Sequence, residues 1–291
     1  MFKNTYSRNI KMKTSFSIFI IIIVLLITSQ GLQAQGKVIK VWPSIAPGSD
    51  KKIDKEKIIN GRAYDVFQPD LRIFLADKPD AKKAAILIFP GGGYTHVTLE
   101  KEGAKAAAWL NKLGISAFVL KYRLNRAEAL ADAEKALELI RSKSKSFNIN
   151  PSSIGIMGFS AGGHLAINLA ANYKAYNKTN KEGTNSANFK PDFIILAYPQ
   201  ADSLASTAYL TNNFPPTFIV QAADDRTVPI ETSVKIFNIL HSEKVPVELH
   251  IFEKGGHGFG LGKDNQPVSK WTMLCKDWMI SEGIISKTGI K

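Results

Sequence analysis

Short apolar runs of strand length recur at Leu71–Leu75, Ala85–Phe89, Ile115–Leu120, Ile154–Met157, Phe193–Ala197, Thr217–Val220 and Val247–Phe252. They are rich in Ile, Val and Phe and almost free of polar interruption, as expected of strands covered on both faces. Between several of them the period changes. Ala107, Leu110 and Leu113 within Gly103–Leu113 repeat at helical spacing, as do Leu130, Ala133, Leu137 and Ile140 within Ala129–Ile140. Gly163–Ala171, Val234–Leu240 and Val268–Met279 complete the set. This alternation predicts an α/β fold, a mostly parallel central sheet of about eight strands with helices on both faces. Residues 37–60 are less regular and are expected to lie across the domain. Lys174–Asn188, rich in Lys, Asn and Thr, reads as a surface loop. No internal repeat or long low-complexity linker divides the chain, so residues 35–291 are expected to form one domain.

The first residues depart from this pattern. Lys3, Arg8, Lys11 and Lys13 precede the apolar run Phe16–Ile27, with no acidic residue before it. The run is about a dozen residues, short of the roughly 20 that a membrane span needs. Leu32-Gln33-Ala34 then offers a small residue at a cleavage point. A secretory signal peptide over residues 1–34 is expected, with export to the periplasm or medium and no stable membrane insertion after processing. An uncleaved N-terminal anchor is the alternative. No cysteine follows the run to accept a lipid. The one cysteine, Cys275, lies in the apolar helical pattern Trp271–Trp278 and reads as a core residue, so no intrachain disulfide forms. The formal net charge is +13. Its lysines are scattered and interleaved with Glu and Asp, which describes a solvated basic surface suited to acidic polymers rather than a nucleic-acid site. Asn177-Lys178-Thr179 fits a glycosylation acceptor.

Chemistry enters at Gly158-Phe159-Ser160-Ala161-Gly162, a G-x-S-x-G pentapeptide. A strand precedes it and a helical stretch follows, the setting that a nucleophile elbow requires. The sharp turn strains the serine backbone, so its close neighbours must lack side chains, and Gly158 and Gly162 meet that need. The helix N-terminus aimed at Ser160 favours developing negative charge. The alternative is a tight turn whose serine only caps the helix.

The strand ending at Phe89 runs into Pro90-Gly91-Gly92-Gly93-Tyr94. Three glycines let the backbone approach a bound group and aim N–H groups at the oxygen of a tetrahedral intermediate. Gly92 and Gly93 are favoured over Gly91 as donors, with the Ala161 N–H as the second side of the oxyanion hole. The loop lacks the Lys-Ser/Thr ending of a P-loop and is not G-x-G-x-x-G. Tyr94 either contacts substrate as a wall of the acyl pocket or covers the loop.

A carboxylate just past a strand end falls in the crevice at the sheet's C-terminal edge. After Phe218–Gln221 come Asp224 and Asp225, and the D-x-x-V-P spacing to Pro229 favours Asp225. Asp224 is then a turn or helix-start residue, and Asp202 is a weaker third candidate. Of five histidines, only His257 lies in a glycine-rich loop, Gly255–Gly260, after the last strand. Such a loop carries an imidazole back over the sheet to Ser160. In the order Ser160, Asp225, His257, the imidazole is the base and the carboxylate fixes its tautomer.

Together with Val41–Gly48, Phe89–Tyr94, Glu102-Gly103, Leu120–Arg123, Ile154–Leu165, Ala223–Asp225 and Gly256–Leu261, these residues resemble the carbohydrate-esterase branch of the α/β-hydrolases. The likeness is strongest to acetylxylan-esterase-like, "xylanase B-like" proteins related to feruloyl esterases, and covers nearly all of residues 35–291. It implies the α/β-hydrolase fold and removal of acetyl groups from xylan-type oligosaccharides through an acyl-enzyme, without metal or cofactor. After Tyr122-Arg123-Leu124 the chain passes almost directly into a helix, where relatives often carry a longer loop, so the sugar preference stays open. Glycosidic cleavage needs two carboxylates flanking one bond, and a single acid coupled to Ser and His argues against it. Two rivals remain. One is an exported serine peptidase of the prolyl-oligopeptidase type, which normally carries a large additional domain. The other is a non-catalytic carbohydrate-binding protein on a degenerate hydrolase scaffold.

Overall fold

The structure, a computed structural model, describes residues 37–49, 55–179, 189–201 and 210–287, with the backbone alone over 172–179. The expected leader and Asp202 lie outside the described residues, as do the side chains of Asn177-Lys178-Thr179.

The strands, in chain order, are β1 (Lys37–Lys40), β2 (Lys57–Ile59), β3 (Arg62–Tyr64), β4 (Asp70–Phe74), β5 (Ala85–Phe89), β6 (Ser116–Lys121), β7 (Ile154–Phe159), β8 (Ile194–Ala197), β9 (Thr217–Ala222) and β10 (Val247–Phe252). Eight of them form one sheet in the order β1-β4-β6-β5-β7-β8-β9-β10, and β2 and β3 pair as a separate hairpin. From β6 to β10 every pairing is parallel. β4 runs antiparallel to β6, and β1 antiparallel to β4. The helices are α1 (Lys105–Lys112), entered through a π-helical turn at Leu99–Ala104, α2 (Arg126–Ser142), α3 (Ser144–Phe147), α4 (Ala161–Thr179), α5 (Ile230–Ser242) and α6 (Trp271–Ser281).

β5 to β9 are buried at every position. Successive side chains point to opposite faces, so a wholly buried strand must be covered on both. α1 packs on β6, α4 on β5, β7 and β8, α5 on β9 and β10, and α6 on β9. Ile86, Leu87, Ile88 and Phe89 have no exposed surface, and burying each such side chain contributes about 1.5–3 kcal/mol. Parallel order has a functional consequence. The C-terminal ends of β5, β7, β9 and β10 share one sheet edge, where four loops meet.

A buried ion pair fastens the segment that precedes β2. Arg123 grips Asp132 of α2 through two hydrogen bonds, of 2.7 and 3.0 Å. The other Asp132 contacts are the Trp42 indole at 2.8 Å and the Arg123 amide at 3.1 Å. Arg123 also donates to the Pro47 carbonyl. Asn125 caps α2, its side chain accepting from the Ala127 and Glu128 amides.

Three expectations change in detail. α4 extends to Thr179, so Lys174–Thr179, expected in a loop, is helical. A polar run does not by itself break a helix, and Lys and Ala are good helix formers. The helix expected from Gly103 opens instead as the π-helical turn. Residues 37–60 hold β1 and the first half of the hairpin.

Candidate active site

Ser160 follows β7 directly, and α4 begins at the next residue. Its backbone has φ +50°, the left-handed region that L side chains rarely adopt. The glycines around it are needed for space. A Cβ on Gly162 would overlap the Phe89 carbonyl oxygen, and one on Gly158 the Gly162 carbonyl. The strained turn is held by three amides, those of Gly163, His164 and Gln200, donating to the Ser160 carbonyl.

Past β9, Asp225 Oδ1 accepts from the Thr227 and Val228 amides at 2.8 and 2.9 Å. That leaves Oδ2 to face His257 Nδ1 at 2.8 Å. His257 Nε2 lies 2.8 Å from Ser160 Oγ. With Nδ1–H donating to the carboxylate, Nε2 is the acceptor for the serine hydroxyl. The Asp225 side chain has no exposure and the His257 side chain 22%, so solvent and ligand reach this line from the imidazole end. Asp224 acts separately, its Oδ1 accepting from the Gly255 and Gly256 amides at 2.8 and 2.7 Å. Those donors, Gly256 foremost, hold its carboxyl below the usual range. It ties the end of β9 to the loop bearing His257.

On the glycine loop, the Gly91 amide is already spent, donating to Glu102 Oε2 at 2.7 Å. Among the described residues, the N–H groups of Gly92, Gly93 and Ala161 have no protein acceptor. Gly92 and Gly93 stand at φ +138° and +62°, and a Cβ on Gly92 would overlap the His96 carbonyl. The Ala161 amide is one of the unsatisfied donors of a helix's first turn. Tyr94 follows at φ +57°, with its hydroxyl 2.8 Å from His164 Nδ1 and the Arg126 guanidinium 5.4 Å from its ring centre. It therefore pins the glycine loop to α4. The remaining histidines are engaged elsewhere: His250 with Glu248, His96 with Thr95, and His241 stacked on Phe237. Among the described residues, no group of His, Cys, Asp or Glu is arranged to hold a metal. Cys275 is fully buried, and that burial pushes its thiol well above its ordinary range.

The BD-FAE family matches residues 71–207, and the prolyl oligopeptidase family matches residues 185–282. An acetylxylan esterase of Xylanibacter ruminicola is 33% identical over 223 residues, which is 65% of this chain and 43% of that protein. An endo-1,4-β-xylanase B of Butyrivibrio fibrisolvens is 30% identical over 254 residues, 75% of this chain and 40% of that protein. The crystal structure of an acetyl ester-xyloside bifunctional hydrolase from Caldicellulosiruptor lactoaceticus is 34% identical with a TM-score of 0.72, covering 88% of this chain and 100% of that one. The chain belongs to the acetylxylan-esterase-like α/β-hydrolases. It spans less than half the length of the two curated relatives it matches.

Within this α/β-hydrolase, two polar side chains that sequence reasoning missed adjoin the site. Glu102 is buried, and burial raises its carboxyl's pKa while bonds from Tyr198 and Gly91 pull it back. Tyr198 follows β8 and is fully buried. Its phenol is held well above 10, by burial first and by Glu102 after it. The Glu102-Gly103 pair was visible as part of the family likeness, but an acid in an amphipathic stretch reads as a solvated helix face. Nothing in the sequence around Tyr198 marks it.

Proposed function

We propose that this protein is an exported serine esterase that removes acyl groups, acetyl above all, from xylan-type saccharides. One observation carries the reading. Ser160 Oγ, His257 and Asp225 stand in a hydrogen-bonded line with two 2.8 Å contacts, beside a glycine loop and a helix start with unengaged amides.

In this mechanism Ser160 Oγ attacks the ester carbonyl carbon as His257 Nε2 takes the hydroxyl proton. The carbonyl oxygen becomes an oxyanion, received by the amides of Gly92, Gly93 and Ala161. Collapse breaks the bond to the sugar oxygen, which leaves with the proton from His257. Water then attacks the acyl-serine with the same base, releasing the acid and restoring Ser160. Asp225 keeps Nδ1 protonated and stabilises the imidazolium in both halves. Tyr94, bonded to His164, holds the glycine loop that presents these amides.

The xylan preference is supported by what the relatives' names describe. The Caldicellulosiruptor protein is also named for xyloside hydrolysis. Here the two carboxyls tied into the site, Asp225 and Glu102, are both buried and both engaged, which favours ester chemistry alone. The match to prolyl oligopeptidases over residues 185–282 keeps amide hydrolysis as a second reading.

Acetate release should be measured from acetylated xylan, acetylated pectin and simple acetylated sugars, with an aryl xyloside and a peptide amide as controls. The xylan ester should be turned over fastest, and Ser160→Ala should lose about a million-fold in kcat. Wild-type rates in Ser160→Ala would refute the mechanism, and a faster amide would favour the peptidase. For export, N-terminal sequencing of the protein recovered outside the cytoplasm should begin at Gln35. A retained Met1 would refute cleavage.

A further inference from the structure

Glu102 is a buried carboxyl that the proposed reaction does not use. It lies on the π-helical turn Leu99–Ala104 and is 5% exposed. Its Oε2 accepts from the Gly91 amide at 2.7 Å, and its Oε1 from the Tyr198 hydroxyl at 2.8 Å. The Tyr198 hydroxyl in turn accepts from the Gly260 amide at 3.0 Å. Gly91 begins the loop that presents Gly92 and Gly93. Gly260 closes the loop that carries His257. One carboxyl and one phenol thus join two loops that are distant in sequence.

The fit around them is close. A Cβ on Gly91 would come within 2.8 Å of the Phe159 carbonyl oxygen, 2.9 Å of Glu102 Oε2 and 3.0 Å of Ser160 Cβ. Gly91 therefore occupies the space between the buried acid and the nucleophile. Tyr198 holds φ +40°, a conformation that L side chains rarely adopt. Its ring lies 4.4 Å from Phe259 and 5.2 Å from His257, centre to centre and edge-on. Both Glu102 oxygens accept, one from an amide and one from a hydroxyl, so the carboxylate satisfies both donors at once. A protonated carboxyl would have to reverse the Tyr198 hydroxyl and leave the phenol proton without this acceptor.

We propose that Glu102 is a positioning residue. Through Gly91 on one side and Tyr198–Gly260 on the other, it sets the glycine-loop donors and His257 in register around Ser160. It touches no substrate, and its role rests on the esterase reading above.

The test uses p-nitrophenyl acetate kinetics on folded wild type, Glu102→Gln, Tyr198→Phe and the double variant. Gln keeps the shape but offers one acceptor to two donors, so either the Gly91 amide loses its partner or the Tyr198 hydroxyl must turn away and accept instead. Phe keeps the ring and the Glu102–Gly91 bond and cuts only the link to Gly260. Each single change should lower kcat by up to about 100-fold, the cost of a small misplacement of reacting groups, with KM almost unchanged. The double variant should lose no more than the worse single one, because both cut the same connection. Wild-type kcat in Tyr198→Phe, or losses that multiply in the double variant, would overturn the proposal. If Glu102→Gln does not fold, Tyr198→Phe decides by itself. Amide hydrogen exchange gives a readout independent of turnover. Glu102→Gln should speed exchange at Gly260, which Glu102 does not touch, and unchanged protection there would also overturn it. Ser160→Ala run in parallel separates the two ideas: full activity in that variant refutes the esterase reading, while exchange at Gly260 still judges the strut.

Discussion

At the scale of single residues, neighbouring aspartates have divergent roles. Asp225 Oδ2 holds the imidazole and Asp224 Oδ1 holds two amides of the imidazole's loop. Asp225→Asn would offer an amide N–H to Nδ1, or surrender the Thr227 and Val228 bonds, and either favours the wrong tautomer. Its kcat should fall by about 10⁴-fold. Asp224→Asn keeps an oxygen for Gly255 and Gly256 and should lose far less. Steady-state kinetics on the two variants checks the order, and the reverse ranking would mean that Asp224 is the orienting acid. Glu134 provides a second test, through pH. Burial raises its carboxyl from an ordinary 4.5 to about 7. Between those values the folded state binds a proton that the unfolded state has lost, so stability falls as pH rises across that window and levels off above it. Glu134→Gln should remove this fall, giving a Tm above wild type at about pH 8 and near parity at about pH 4. A gap that does not widen with pH would show that the carboxyl is not desolvated. Residues of this kind are hardly legible in sequence. Ser160, Asp225 and His257 were visible because each follows a strand and the order is restrictive. Glu102, Tyr198 and Glu134 were not, because burial of a lone polar side chain depends on contacts that no local pattern encodes.

Among elements, legibility tracked burial. β5 and β7 lie where the apolar runs place them because a strand buried along its length leaves a continuous signal. β1 does not: its residues are exposed but for a half-buried Ile39, and two lysines frame it as at a sheet edge. The β2–β3 hairpin had a signal that went unread. Asn60-Gly61, at φ +49° and +71°, is the residue pair that two-residue hairpin turns favour. The stretch from Val41 to Gly48 looked like a family motif with no evident role, and the fold supplies one in Trp42 and Pro47, which cover the Arg123–Asp132 pair. The side chains of that pair are 3% and 0% exposed. Asp132→Ala would leave the buried guanidinium with the partly exposed Glu128 carboxylate, 3.3 Å away, as its remaining counter-charge, and should cost about 3 kcal/mol, the low end for breaking a buried pair. Urea unfolding reads this directly, and an unchanged midpoint would show that the cation escapes to water.

For the whole molecule, the question is what a net charge of +13 over the full sequence does around the candidate site. The fold concentrates part of it. Arg62 from the hairpin, Lys101 and Lys105 from the π-helical turn and α1, and Lys263 from the loop beyond His257 line a cleft of about 600 Å³. His257 and Gly258 form part of the same wall, and Glu100 is the acid among the described lining residues. These cations come from separate stretches of sequence, so scattered lysines concealed their convergence. A xylan bearing uronic acids would be drawn to such a cleft, and salt would weaken the attraction, since the screening length shrinks from about 30 Å at 0.01 M to about 3 Å at 1 M. Between those ionic strengths, KM for an acetylated, uronate-bearing xylan should rise several-fold while its kcat holds. KM for p-nitrophenyl acetate, which is neutral, should stay flat in the same buffers. A parallel rise for both substrates would mean that salt acts on the fold or on the catalytic line. A flat response for both would mean that these cations are only solvated surface, with no part in gathering the polymer.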